Sequence, residues 1–175
     1  KILSSKLKSL SLGLLVVCLS VHSAVLAESK THSKEELEKR LAEIELHLKK
    51  NPHSIDALES KVATLELLGR SKEAVLICES EVKHGVNRVF IWRFLGLRKY
   101  RENRLAEALP FFNKAQSMGD ASSAGVMAYC LRKLDRNEEC LKFASEKIEQ
   151  YPNESSLYLN RGLSRFTLKQ SKTLV

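Results

Sequence analysis

Trp92-Arg93-Phe94-Leu95-Gly96, followed twelve residues after the glycine by Ala108, Phe112 and Ala115, is the stretch that decides the fold. The layout recurs along the chain. Thirty-four residues upstream, Leu58, Val62, Ala74 and Cys78 take the places of Trp92, Gly96, Ala108 and Phe112. Thirty-two residues downstream stand Ala124, Ala128, Cys140 and Ala144, and 34 further on come Tyr158, Arg161 and Gly162. A fixed beat of 32–34 residues is the length of a helical hairpin, and each hairpin must bury its apolar side against its neighbours. Composition agrees: Leu, Lys, Glu, Ala and Arg dominate, whereas seven Gly and three Pro leave little turn chemistry for a many-stranded β fold.

Local patterning places helices near 33–50, 55–68, 71–84, 88–102, 105–118, 121–134, 137–150 and 155–169. Leu37, Leu41, Ile44 and Leu48 keep helical spacing, and Leu46 falls off that stripe. Ser33-Lys34-Glu35-Glu36 reads as a capping box, in which hydroxyl and carboxylate satisfy free N–H groups at a helix start. Gly69, Gly85 and Gly119 fall between helices, where a left-handed helix end favours glycine. Pro110 sits inside a helix, near enough to its start for the lost hydrogen bond to be tolerated.

The Trp-x2-Leu-Gly and Ala-x3-Phe-x2-Ala pattern resembles the tetratricopeptide repeat (TPR) family over about Ser33–Lys169. The resemblance implies an all-α, right-handed α-solenoid of stacked antiparallel helix pairs. A bulky anchor and a small residue on the first helix would receive a bulky knob from the return helix. It divides the chain into a leading half-repeat at 28–54, repeats at 55–88, 89–120 and 121–154, and an incomplete fourth unit at 155–175. Lys61 and Arg161 stand where the family has Leu, Lys99 where it has Tyr, and Glu81 and Lys147 at small-residue places. The fourth unit has a first helix and no return helix before Val175, so further repeats are expected beyond it.

Residues 1–27 read as an address. Lys1, Lys6 and Lys8 precede the apolar run Leu10–Val21, and Val25-Leu26-Ala27 offers a short-residue cleavage site before Glu28, the first acid. This is the layout of a secretory signal peptide, with cleavage after Ala24 or an uncleaved anchor as alternatives. The run is shorter than the roughly 20 residues of a membrane span. Leu15-Val16-Val17-Cys18 fails as a lipobox because Val17 is not small. Loss of the leader lowers the net charge from +8 to +5, too little for a nucleic-acid footprint. The expected setting is exported: periplasmic, cell-envelope or secreted. Membrane contact would come only through an uncleaved leader.

In the family, first-helix side chains line a concave face. Carried over by position, Asp56, Glu59, Ser60, Ala63 and Glu66 make an acidic rung. Phe90, Arg93, Phe94, Leu97, Tyr100 and Arg101 make a cationic, aromatic one; Gly125, Val126, Tyr129, Arg132 and Lys133 a third; Leu159, Asn160, Leu163 and Phe166 a fourth. The partner-binding candidates are Arg93, Phe94, Leu97, Tyr100, Arg101, Tyr129, Arg132 and Lys133. Their partner would be a protein or peptide bearing acids and an apolar anchor. The family's carboxylate clamp is not reproduced, since Phe94 and Leu97 occupy places that need polar groups.

Catalytic and metal-binding signatures are missing from the sequence. The five histidines, at 22, 32, 47, 53 and 84, form no His-Glu-x-x-His, and there is no Cys-x-x-Cys, P-loop or Gly-x-Ser-x-Gly. No cofactor, metal or enzymatic activity is expected. Cys78, Cys130 and Cys140 fall on packing positions as buried fillers, with a Cys130–Cys140 disulfide left open. Asn153-Glu154-Ser155 is a glycosylation sequon on a turn. The expected function is an exported, non-enzymatic scaffold for protein–protein interaction. The alternative is a structural spacer in a larger envelope protein or complex, with no peptide site.

Overall fold

The computed structural model describes residues 33–173, and the stretch 1–27 expected to be a leader lies outside them. Eight helices run in order among the described residues: α1 (Lys34–Lys50), α2 (Ile55–Leu67), α3 (Ser71–Lys83), α4 (Val89–Arg101), α5 (Leu105–Ser117), α6 (Ala121–Lys133), α7 (Asn137–Gln150) and α8 (Ser155–Thr173). No strand occurs among the described residues. The sequence windows hold to within two residues, except that α8 runs four residues further than expected. No described helix is long and apolar enough to cross a membrane.

The chain divides into two compact units, 1–74 and 75–175, with the boundary inside α3 rather than at the end of a repeat. In the first unit, Ser33 Oγ accepts from the Glu36 N–H at 3.1 Å while Glu36 Oε2 accepts from the Ser33 N–H at 2.7 Å, so the capping box is complete. Leu37 and Leu41 are buried, Ile44 and Leu48 half-buried, and Leu46 faces solvent, as the stripe requires. α1 packs on α2. Lys61, placed where the family has Leu, is half-buried because Glu45 takes its ammonium at 2.9 Å.

In the second unit, α4 packs on α5, α5 on α6, α6 on α7 and α7 on α8. Turns of three or four residues join them, which makes neighbours antiparallel. α6 also packs on α8, the next first helix in the chain. Contacts to both the next helix and the one after it are the signature of stacked helix pairs, an all-α solenoid. The core runs through the repeat positions: Ala108, Phe112, Ala124, Ala128, Cys140 and Ala144 are each fully buried. Tyr151 closes the third unit by donating its hydroxyl to the Gln116 carbonyl at 3.2 Å, back on α5.

Gly69, Gly85 and Gly119 have φ of +74°, +81° and +96°, so each ends a helix in the left-handed region. Two equivalent turns use Asn103 and Asp135, both at φ 58°, which sequence reading passed over because neither is glycine.

A second feature escaped it. Arg70, Arg104 and Arg136 each grip the glutamate three residues on, Glu73, Glu107 and Glu139, with paired N–H···O bonds. The three forks open the three return helices and recur with the 34- and 32-residue beat. Arg104 and Arg136 occupy the N-cap places, where neither makes a side-chain cap to the backbone. The fork ties the first turn in its stead, and its carboxylate also suits the positive end of the helix dipole. Hydrogen bonds from Arg70 and Arg104 hold Glu73 and Glu107 below the usual carboxylate range.

Candidate functional site

The first helices α4, α6 and α8 carry the residues that sequence reading assigns to a binding face. At the C-terminal ends of α4 and α6, Tyr100 meets Tyr129 edge-on with ring centroids 5.8 Å apart. Lys133 lies over the Tyr129 ring at 5.7 Å and the Arg132 guanidinium at 5.4 Å, both within cation–π range. Arg132 also donates Nε–H to Asn160 Oδ1 of α8 at 2.9 Å. Asn160 in turn donates to the Ser156 carbonyl at 2.8 Å. One connected cluster therefore crosses all three first helices.

Its position has a local cause. Arg132 and Lys133 fall in the last turn of α6, and Arg98, Lys99 and Arg101 in that of α4, where cations complement the negative helix end. The two rings sit one turn or less before those ends, so cation and ring come together. Tyr100, Tyr129 and Leu97 are half-buried and pack on the core. Lys133 and Arg101 are the exposed members.

The remaining candidates lie apart. Arg93 sits eight residues before Arg101, about 12 Å along the helix axis. It faces Asp120 at 3.6 Å, at the start of α6. Asp120 also accepts from Ser122 Oγ at 2.8 Å and from Ser123 Oγ at 2.5 Å, so Arg93 approaches an acid that already has partners. Phe94 is half-buried.

Three residues placed on the rungs are structural. Phe90 is buried, Asn160 is 3% exposed, and a Cβ on buried Gly125 would collide with Ser156 of α8. Gly125 and Asn160 lie where α6 meets α8. The positional rule that assigned them to a face does not separate a face from the seam beside it. In the first unit, Asp56 and Ser60 line an open depression with Arg40, Glu43 and His47.

Cys78, Cys130 and Cys140 are buried, as their packing positions imply. Cys130 and Cys140 are thiols rather than a disulfide. Burial pushes Cys130 up to about 12 and raises Cys140 as well. Cys140 donates its S–H to the Ala128 carbonyl at 3.2 Å. Neither thiol is a nucleophile at neutral pH. Among the described residues no group of His, Cys, Asp and Glu could hold a metal ion. His47 and His53 are exposed, and His84 Nδ1 lies 2.7 Å from the Ser80 carbonyl.

No protein-family model matches the chain, and no curated protein sequence matches it. Among solved structures it is similar to "Assembly Chaperone of RpL4 (Acl4) (Residues 1-338)", at 15% sequence identity and a TM-score of 0.42. The likeness covers 80% of this chain and 60% of that one, so the chain spans less than two thirds of its length.

Proposed function

We propose that the chain is a non-enzymatic helical-repeat scaffold of the tetratricopeptide type that binds protein through its first-helix face. One observation supports this most: the Tyr100–Tyr129–Arg132–Lys133 cluster spans α4 and α6 and is tied to α8 through Asn160. Half-buried rings with cations at their edge give a partner both apolar area and charge, and Tyr and Arg often carry interface energy. Rings seated on a packed core lose little freedom on binding, so little ordering entropy opposes it. The partner chemistry is an acidic peptide with an apolar anchor. The leader's layout supports export to an envelope or secreted setting.

The test is capture of partners from an envelope fraction by the chain and by a Tyr129→Ala/Lys133→Glu variant, with Arg93→Glu/Arg101→Glu as a second arm. Loss with the first variant supports the cluster as the site; equal recovery with every form removes it. A second reading, a structural spacer without a peptide site, is favoured by the same cluster's internal use. Arg132 is spent on Asn160, and Leu97, Tyr100 and Tyr129 all pack on the core. In that case the variants would lower thermal stability and leave capture unchanged.

A further inference from the structure

We propose that Arg132 is the specificity-determining residue of the first-helix face. Its outer edge takes a side-chain carboxylate of the partner in two parallel hydrogen bonds, beside an apolar side chain laid on the Tyr100 and Tyr129 rings. The inference rests on the binding reading above and names the chemistry that the face selects.

The guanidinium is held from one side only. Nε–H donates to Asn160 Oδ1 at 2.9 Å. Asn160 is itself fixed, being 3% exposed and donating Nδ2–H to the Ser156 carbonyl at 2.8 Å. The guanidinium carbon also lies 5.4 Å from the centre of the Tyr129 ring. Together these contacts set the direction of the group and use only Nε and one face of its plane. The donors on Nη1 and Nη2 make no hydrogen bond among the described residues, and neither nitrogen is enclosed.

A counter-charge is missing as well. Arg70, Arg93, Arg98, Arg104 and Arg136 each face a carboxylate within 3.6 Å. Among the described residues Arg132 forms no ion pair, and neither does Lys133 beside it. The end of α6 supplies only about half an elementary charge. Half-burying a guanidinium without a full anion costs free energy that a partner's anion would return.

The free edge selects the anion. Nη1 and Nη2 form a planar fork that matches the two oxygens of a carboxylate. A phosphate dianion fits less well, because the cluster lies at the C-terminal ends of α4 and α6, whose negative dipole ends repel two charges more than one. Leu97, Tyr100, Val126 and Tyr129, all partly buried on the core, give the neighbouring apolar shelf. The occupant is an acidic side chain next to an aromatic or aliphatic one.

The probes are acetyl-Phe-Glu-amide, acetyl-Phe-Gln-amide and acetyl-Phe-phosphoserine-amide, titrated into the isotope-labelled 175-residue chain. Nuclear magnetic resonance follows the Arg132 Nε–H signal and the Tyr129 ring. The glutamate peptide should shift both saturably, less tightly as salt rises. The glutamine peptide should bind the same chain at least about tenfold more weakly. Arg132→Lys keeps the charge and loses the fork. It should weaken the glutamate peptide about tenfold and leave the glutamine peptide where it was, a split that a merely structural role would not produce.

Equal binding of the glutamate and glutamine peptides overturns the proposal and leaves the rings as an apolar site, so the binding reading survives. No shift at Arg132 with any peptide also overturns it, and the capture experiment then decides the binding reading separately. Tighter binding of the phosphoserine peptide assigns the edge to phosphate and overturns the carboxylate.

Discussion

The hairpins α4/α5 and α6/α7 occupy the same repeat register and fill it in opposite ways. In α4/α5 the register holds Trp92, Gly96, Ala108 and Phe112, large side chains lodged against a missing one. In α6/α7 it holds Ala124, Ala128, Cys140 and Ala144, all small and all fully buried. The first hairpin relies on a knob in a seat. The second relies on close backbone approach, near enough for the Cys140 thiol to reach the Ala128 carbonyl. Both give a buried core, so the crossing accepts unequal side-chain volumes when the helices approach to unequal distances.

Breaking the knob should have the largest effect. Phe112→Ala removes a fully buried ring and should cost about 3–5 kcal/mol in urea unfolding. The reciprocal change, Ala144→Phe, should overpack the α6/α7 crossing by about 1–3 kcal/mol. Equal tolerance of both would mean that the two hairpins are not packed differently. Arg132→Met should cost about 1–3 kcal/mol, because the Asn160 side-chain oxygen Oδ1, on a 3%-exposed residue, loses its donor. Gly96→Ala should destabilise where Gly162→Ala stabilises by up to about 1 kcal/mol, since only the first has a ring in the way. A thermal melt of the pair reads the sign directly.

Alkylation sharpens the comparison from the other side. Cys130 and Cys140 both belong to α6/α7, and Cys130 is held near 12. Their reaction with iodoacetamide at neutral pH should therefore follow opening of that hairpin. If Phe112→Ala speeds it in proportion to the lost stability, the hairpins unfold together; if not, they open separately.

The smallest effect is expected from pH. Glu73 and Glu107 are lowered in the folded chain, so their contribution is present above the ordinary carboxylate range. It is lost as pH falls through the lowered values. Glu107→Gln should flatten that acid limb without moving the neutral melting temperature by much.

The helices and their stacking were legible because apolar spacing and the 34-residue beat say the same thing at each unit. Ser33 and the three glycines marked their turns through side-chain chemistry that acts locally. The turns at Asn103 and Asp135 were less legible, since polar residues enter the left-handed region only when the surrounding helices demand it. The Arg–Glu forks could have been found: Arg-x-x-Glu at 70, 104 and 136 keeps the beat, but charged surface residues carry no hydrophobic signal.

The candidate face was legible as a set of positions and not as a shape. Arg132 was placed on the face by position, yet its tie to Asn160 depends on the crossing of α6 and α8, which sequence spacing does not specify. Phe90 and Gly125 were assigned to the face by the same rule and are buried.

The forks have a consequence for how such an array changes length. The return helices α3, α5 and α7 are each fastened at their entry by an Arg–Glu pair three apart within one repeat, Arg70 reaching Glu38 of α1 as well at 3.4 Å. A duplicated or excised hairpin would bring or remove its fastening whole. The array could thus gain or lose modules over evolutionary time at the cost of a single altered junction, which is a physical basis for repeat number being freer to drift than repeat sequence.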